Sequence, residues 1–422
     1  MVDGPVSGTL TSVVVIALAA ALAPLLADRL GRRLPVPSIV LEILLGMVAG
    51  PAVLGLAGTD QVVDALAGFG LAMLFFLAGY EVEFARIRGG PLGRALGSWA
   101  GSLPLGLGAG ALLALLLGGG PAAALVFGLA LVTTALGAIL PVVRDAGVLP
   151  TRYGSMIMAV GAVGEFGPVL LVAVLLSGAR PLHTTLVLLG FSAVAMAAAA
   201  LAMRRPPQRL ARLLTATLGT SAQFAVRLSV LVVLAMVWLA VELHLDLVLG
   251  AFAAGIVVRL VLASISRREA EIVESMVEGI GFGLVIPFFF VTTGVRFDLP
   301  ELLGSPAALA LLPAGLVGFL LVRAVPVALA FRRELPGREL VGLSLYAATA
   351  LPLIIVVTET GVANGWLSAA TAAGLVGAGM LSVLVFPLLA QGWTGLVAAP
   401  AGTVDAARPA GAEGAARGST PP

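Results

Sequence analysis

The sequence predicts an all-α polytopic membrane protein with about 13 transmembrane helices, and three observations support this fold class. The chain has 422 residues, of which 60% are hydrophobic and 11% are charged, whereas soluble domains carry roughly 25% charged residues. Apolar runs long enough to cross a bilayer recur along the chain up to residue 391. Short segments that carry charge, Gly or Pro separate these runs and set their limits.

Thirteen apolar runs can be delimited in this way. Their predicted spans are 10–27, 36–56, 62–80, 96–118, 121–141, 153–177, 182–203, 228–243, 246–263, 279–295, 303–331, 339–358 and 364–391. Because the first ten residues, MVDGPVSGTL, contain no basic residue, we expect the first run to be a retained helix and not a signal peptide.

The distribution of arginine predicts the orientation of the chain. All 24 basic residues are arginine; 19 of them lie in one alternating set of loops, and only Arg180 and Arg296 lie in the other set. Arg408 and Arg417 lie in the C-terminal tail. Since basic loops remain in the cytoplasm, we expect an external N-terminus and a cytoplasmic C-terminus in the bacterial plasma membrane.

The pattern of apolar and charged segments divides the chain into four regions. These are a first half (1–203), an arginine-rich cytoplasmic linker (204–227), a second half (228–391), and a tail rich in Ala, Gly and Pro (392–422). The tail has no apolar period, so we expect it to be disordered, and it is too short for a nucleotide-binding domain.

The two halves resemble each other at a shift of 215 residues. This shift aligns FFLAGYEVE (75–83) with FVTTGVRFD (290–298), and TAL at 134–136 with TAL at 349–351. The shift spans seven predicted helices, and this odd number means that the halves would cross the membrane in opposite senses. The sequence therefore predicts an inverted repeat, a feature typical of secondary transporters.

Predicted helices 5 (121–141) and 12 (339–358) carry small or hydroxylated residues followed by a proline. The residues are Thr133, Thr134 and Pro141 in the first helix, and Thr349 and Pro352 in the second. Proline removes a backbone donor, so we expect both helices to break or kink there, with freed backbone groups that can bind ions. The alternative is that the threonines only bond to their own helices.

Glu165 is the only charge in MAVGAVGEFGPVLLVAV (158–174), and the nearest arginines are Arg152 and Arg180. The 27 residues between these arginines span roughly 40 Å as a helix, so Glu165 would lie near the middle of the membrane. A carboxyl group at that depth is costly and usually functional. The alternative is a protonated glutamate that forms structural hydrogen bonds within the bundle.

Two further charges lie inside predicted helices. Arg323 is nine residues before Arg332, about 13 Å from the helix end, so it either snorkels or has a charge partner in the bundle. Glu42 is nine residues after Arg33 and can be structural or a secondary functional acid.

Four segments together resemble the monovalent cation:proton antiporters, the sodium/proton exchanger superfamily. They are LEILLGMVAGPAVLGL, LAMLFFLAGYEVEF, LGAFAAGIVVR and PFFFVTTGVRFD, on predicted helices 2, 3, 9 and 10. The resemblance covers residues 10–391. It implies a homodimer, in which each protomer has a scaffold domain and a six-helix core domain built around two crossing broken helices, here predicted helices 5 and 12.

The resemblance also implies roles for individual residues. Family members often carry a pair of residues such as Asn-Asp on the helix after the first broken one, and this pair reads Gly164-Glu165 here. The second position keeps its carboxylate, whereas the first has no side chain. The basic residue that the family places before the second broken helix corresponds to Arg323.

These observations lead to one leading hypothesis and two alternatives. In the leading hypothesis, Glu165 exchanges a proton for Na⁺ or K⁺, with Thr133 and Thr134 as further oxygen ligands and Arg323 balancing charge. The exchange would be electroneutral, because one carboxyl group trades one proton for one cation. The alternatives are a Kef-like potassium efflux system and an organic-anion carrier on a similar scaffold.

The residue composition argues against enzymatic chemistry. The chain has no Cys and only two histidines, His183 and His244, which lie in or near predicted outer loops. We therefore expect no enzymatic activity, no cofactor and no nucleic-acid partner; the expected partners are a monovalent cation, a proton and the lipid bilayer.

Overall fold

The structure is a computed structural model that describes residues 5–31, 37–81, 89–175, most of 186–200, 224–243, 245–263 and 267–394. The described residues are almost entirely helical and contain no β-strand. The predicted all-α class is therefore confirmed.

The helices are numbered α1 to α17 in chain order. They are α1 (Pro5–Gly31), α2 (Ser38–Ala49), α3 (Gln61–Tyr80), α4 (Gly90–Leu117), α5 (Pro121–Leu131), α6 (Leu136–Asp145), α7 (Arg152–Leu175), α8 (Phe224–Glu242), α9 (Leu247–Leu262), α10 (Arg267–Ile280), α11 (Ile286–Arg296), α12 (Leu299–Gly304), α13 (Pro306–Phe319), α14 (Val325–Phe331), α15 (Gly337–Ala348), α16 (Pro352–Ala363) and α17 (Ala369–Thr394).

Ten of the described helical segments are long and apolar enough to cross a membrane, and α2 and α9 are two shorter apolar helices. Each of these twelve segments overlaps one predicted helix. The remaining predicted helix, the seventh (182–203), is described only in part, and its described residues between 186 and 200 are helical. Most of the predicted linker (204–227) and of the predicted tail (392–422) lies outside the described residues, as do His183 and His244. The predicted count of thirteen stays a prediction.

Some helix limits differ from the predicted ones. The helix α8 begins at Phe224, inside the predicted linker, and α17 continues to Thr394. The predicted helix that starts at residue 279 is preceded directly by α10, whose sequence RREAEIVESMVEGI is amphipathic. The glutamates of α10 interrupt the apolar pattern, so the predicted membrane helix begins only after them. They are nevertheless compatible with a helix that has one apolar face.

The helices pack in two groups. In the scaffold group, α3 contacts α9 and α11, while α2 and α1 pack on α11, and α8 packs on α9 and α10. In the core group, α4 packs on α5, α7 and α14, and α17 packs on α13, α15 and α16. The half-helix α6 contacts α7 and α17 in the core group and also α3 in the scaffold group.

Backbone contact between α2 and α11 holds part of the scaffold group together. A Cβ atom at Gly294 would lie 2.0 Å from the carbonyl oxygen of Ile43, and one at Gly46 would lie 2.1 Å from that of Val291. Small residues at such crossings let transmembrane helices approach closely and increase their dispersion contacts. Larger residues at either position would separate the two helices.

Two π-helical turns interrupt long helices, and each precedes a proline. Gly281–Val285 is followed by Pro287, and Leu320–Ala324 is followed by Pro326. Proline lacks an N–H and clashes with the carbonyl four residues earlier, so the helix widens locally instead of continuing regularly. The second of these turns contains Arg323 and directs its side chain into the core group.

Candidate functional site

Two interrupted helices meet in the core group. The chain leaves the helical conformation between α5 and α6, at residues 132–135, and again between α15 and α16, at residues 349–351. The N–H of Ala135 donates to the carbonyl of Thr349 at 2.7 Å, and the hydroxyl of Thr134 donates to the carbonyl of Ala347 at 2.6 Å. The two breaks therefore satisfy part of each other's backbone, as buried irregular backbone requires.

Glu165 lies beside this crossing, on α7. Its side chain is 2% exposed, and its Oε2 accepts a 3.1 Å hydrogen bond from the N–H of Leu136, the first residue of α6. The preceding carbonyl, of Gly164, accepts a 2.8 Å bond from the N–H of Thr134. A helix N-terminus stabilises negative charge, whereas burial destabilises it, so these two influences on the carboxyl group oppose each other.

Arg323 is fully buried and ends at the same crossing. Its Nε and Nη2 donate to Oγ1 of Thr134 at 3.1 and 2.8 Å, and its Nη1 donates to Oγ of Ser102 at 3.2 Å. The side chain therefore does not snorkel. Among the described residues it makes no ion pair, so its charge is not paired directly with that of Glu165.

The space beside Gly164 is filled by these groups. A Cβ atom at Gly164 would lie 2.4 Å from Nη2 of Arg323 and 2.4 Å from Oγ1 of Thr134. The absence of a side chain at this position therefore makes room for the guanidinium group and its acceptor.

The predicted threonines have different roles. The hydroxyl of Thr134 donates one hydrogen bond and accepts two, which uses its whole bonding capacity, so in this conformation it cannot also bind a cation. The hydroxyls of Thr133 and Thr349 donate to carbonyls of their own helices, those of Ala130 at 2.9 Å and Leu345 at 3.1 Å. For these two hydroxyls, the bonds therefore agree with the alternative that the threonines bond only to their own helices.

The two predicted prolines differ in position. Pro352 is the first residue of α16 and directly follows the second break. Pro141 lies within α6, after the first break, so the expectation that this proline marks the break is wrong. The first break is instead fixed by hydrogen bonds to α7 and to the second broken helix.

Glu42 lies apart from the crossing. It is 6% exposed on α2, where the neighbouring residues Ile43 and Gly46 contact α11 of the scaffold group. Within the described residues, no hydrogen bond joins it to Glu165, whose carboxylate accepts from the start of α6.

Three polar residues that sequence reasoning missed support the breaks. Nε1 of Trp99 donates to the carbonyl of Val132 at 3.2 Å, and Ser102 accepts from Arg323. Ser382 donates to the carbonyl of Ala350 and accepts from its N–H, at 2.9 and 3.0 Å. Their only signal in the sequence is a polar group within an apolar helix.

A cavity of about 430 Å³ opens between α11 and α16, at the opposite end of the molecule from α10. Arg296 and Glu359 line it, and Arg296 bonds to Glu359 at 3.1 Å and to Asp64 of α3 at 2.6 Å. An ion pair thus joins the scaffold and core groups at this end.

Comparisons with known proteins agree with this architecture. The profile of the family described as sodium/hydrogen exchanger, transmembrane, matches residues 16–391. The putative Na(+)/H(+) antiporter YjbQ of Bacillus subtilis is 25% identical over 371 residues, which cover 84% of this chain and 58% of that protein. The Na(+)/H(+)-K(+) antiporter GerN of Bacillus cereus is 26% identical over 293 residues, 68% of this chain and 71% of that protein.

The fold also matches a solved structure. The sodium proton antiporter MjNhaP1 of Methanocaldococcus jannaschii superposes with a TM-score of 0.68 over 92% of this chain and 98% of that one. The sequence identity is 15%, so this likeness concerns the fold alone.

Proposed function

The chain belongs to the sodium/hydrogen exchanger family, and we propose that it exchanges a monovalent cation, Na⁺ or K⁺, for protons across the membrane. The observation that carries this proposal is the buried carboxyl group of Glu165 at the crossing of two broken helices. The names of the similar proteins include both Na⁺ and K⁺, so we leave the choice between these two cations to experiment.

The environment of Glu165 supports exchange at a single group. Burial favours the protonated carboxyl, while the N–H of Leu136 and a bound cation favour the ionised form. A proton and a cation therefore compete for the same oxygens, and the site cannot hold both. This competition couples the movement of one ion to that of the other.

We propose that the cation is bound by oxygen atoms at the crossing. The candidates are the carboxylate of Glu165, the hydroxyl oxygen of Thr133, which keeps both lone pairs, and the carbonyls of the two breaks. Thr134 acts differently, as the acceptor that holds Arg323 in place. The guanidinium group, which stays charged, compensates the partial negative charge of carbonyls that converge at the crossing.

The path of the ion requires movement between the two helix groups. In our proposal, the core group carries Glu165 past the scaffold group and exposes it to each side in turn. An external N-terminus, a cytoplasmic tail, a homodimer and electroneutral exchange complete the proposal. They follow from the arginine distribution, from family membership and from the single carboxyl group at the crossing.

A direct test is transport by the purified protein in proteoliposomes that contain a pH-sensitive dye. Addition of Na⁺ or K⁺ should cause proton movement in the opposite direction, and choline, as a bulky cation of the same charge, should not. Proton movement that is independent of every added monovalent cation would contradict the proposal.

A further inference from the structure

Glu81 is a buried carboxyl group without a hydrogen-bond partner. It directly follows α3, is 7% exposed, and neither of its carboxyl oxygens accepts a hydrogen bond in the described part of the chain. Among the described side chains, its nearest cationic group is Nη2 of Arg144, on α6, at 3.9 Å from Oε1. An ionised carboxylate in this situation lacks the bonds that normally offset its desolvation.

Arg144 cannot fully compensate Glu81, because it is already paired. Its Nη1 and Nη2 donate to the two carboxylate oxygens of Glu278, on α10, at 3.1 and 2.8 Å. A two-bond pair of this kind is the stronger and better oriented interaction. Glu81 is left at the longer distance of 3.9 Å, on the inner side of the pair.

A second ion pair lies beside Glu81. Arg259, on α9, is 3.8 Å from Glu274 and covers the ring of Tyr80 at 5.1 Å. These groups form a charged cluster with Glu81, Glu278 and Arg144. Within the described residues, each guanidinium group of the cluster lies beside another carboxylate, and neither donates a hydrogen bond to Glu81.

Backbone dipoles favour a cation beside Glu81. The helices α3, α6 and α9 end beside the cluster, at Tyr80, Asp145 and Leu262. Each helix C-terminus carries a partial negative charge and unsatisfied carbonyls, which favour a cation.

The half-helix α6 connects Glu81 with the proposed exchange site. Its first residue, Leu136, donates to Glu165, and Arg144, near its last residue, lies 3.9 Å from Glu81. Burial raises the pKa of Glu81 well above its usual value; Arg144 lowers it, and the negative charges of Glu278, Glu165 and Glu274 raise it further. On the other side, the side chain of Arg144 is 42% exposed, so water reaches the cluster.

The opposite end of the molecule offers an instructive contrast. The predicted repeat, with its shift of 215 residues, relates Glu81 to Arg296 and Arg144 to Glu359. Arg296 and Glu359 also form an ion pair between the scaffold and core groups. In that pair the arginine belongs to the scaffold group and the glutamate to the core group, the reverse of Glu81 and Arg144. There, the side chains of Asp64 and Glu359 are each 50% exposed, so water can solvate them, whereas Glu81 has no such access.

We propose that Glu81 is a second ion-binding carboxylate, which holds the transported cation, in competition with a proton, between the aqueous face at Arg144 and the exchange site at Glu165. The inference rests on the proposed function. Glu81 belongs to the scaffold group and Glu165 to the core group, so Glu81 serves one side only and does not cross the membrane with the ion. The stoichiometry of one cation per proton is unchanged.

The test is the cation dependence of exchange in proteoliposomes, with the cation supplied from one side at a time. Glu81→Gln should raise the concentration for half-maximal exchange about tenfold from the side of Glu81, and leave it unchanged from the other side, since tenfold corresponds to about 1.4 kcal/mol of binding. Glu81→Asp, which keeps the charge, should recover part of the affinity. Asp28→Asn removes an exposed carboxylate at the end of α1 and serves as the control.

Each outcome is decisive. Wild-type half-saturation from both sides in Glu81→Gln would overturn this inference, and so would an equal loss of maximal rate from both sides, which indicates a structural role. If exchange is lost in Glu165→Gln but unaffected in Glu81→Gln, the proposed function is supported and the inference about Glu81 is rejected. A thermal unfolding scan confirms that each variant is folded.

Discussion

The N–H of Leu136 donates a 3.1 Å hydrogen bond to Oε2 of Glu165, which joins the carboxyl group to the start of a half-helix in the centre of the molecule. That half-helix exists because the chain is interrupted at residues 132–135, where Thr134 and Ala135 bond to α7 and to the second broken helix. The carboxyl group, the helix end and the crossing are therefore one structural unit.

The first prediction concerns the space beside Gly164. Gly164→Ala should displace the Arg323 guanidinium from Thr134, because a Cβ atom there would lie 2.4 Å from both groups. We expect a loss of about 1–3 kcal/mol of stability and a lower exchange rate. Thermal unfolding and transport measure the two effects. Gly97→Ala, at a site on α4 with open space around its Cβ, should be silent; equal effects of both variants would contradict the prediction.

The second prediction concerns the hydroxyl of Thr134. Thr134→Val keeps the shape but leaves Nε and Nη2 of Arg323 without their acceptor, at a cost of about 1–3 kcal/mol in the free energy of unfolding. Thr134→Ser should retain most of the stability.

The matched control for this prediction is Thr133→Val, which loses only a bond within its own helix. In an Arg323→Ala background, the cost of Thr134→Val should fall to that of the lost hydrogen bond to the Ala347 carbonyl, because the contact with Arg323 is already absent. Additive effects in the double variant would show that the contact has no energetic importance.

The third prediction concerns stoichiometry. With one carboxyl group per protomer at the crossing, a cycle that trades one proton for one cation moves no net charge. The exchange rate should then be insensitive to an imposed potential, whereas one net charge would change the driving force by about 2.3 kcal/mol per 100 mV. Acceleration by one sign of the potential and slowing by the other, in proteoliposomes, would exclude electroneutral exchange.

The fourth prediction concerns orientation. The chain has no cysteine, so single cysteines can be introduced without background labelling. A cysteine at Arg338, exposed at the start of α15, should react from the cytoplasmic side, and one at Glu301, exposed on α12, from the outside. Labelling of both from the same side by a membrane-impermeant reagent would overturn the predicted topology.

Part of the site was predictable from sequence, because its signals are local. Glu165 is an isolated acid in an apolar run, and the threonine clusters occur at corresponding places in two helices. Arg323 was likewise visible as a charge within a membrane helix. Its burial against Thr134 was not, since this contact joins residues 189 positions apart.

The remaining features depend on contacts that one sequence does not reveal. Pro141 suggested the wrong place for the first break, because the break is stabilised by Gly164 and Thr349 from other helices and not by the proline. Glu81 lies within a motif but gives no signal of its own in the sequence, since it borders a charged loop and its burial depends on α6 and α10.

Exchange by Glu165→Gln in proteoliposomes tests the central claim most directly, because Gln keeps the size and hydrogen bonding of Glu but cannot titrate. The variant should fold and insert normally, and its cation-driven proton movement should fall to that of protein-free vesicles. Glu165→Asp should keep partial activity with a shifted pH profile, and Glu301→Gln, an exposed control, should exchange at the wild-type rate. Wild-type exchange by Glu165→Gln would contradict the account.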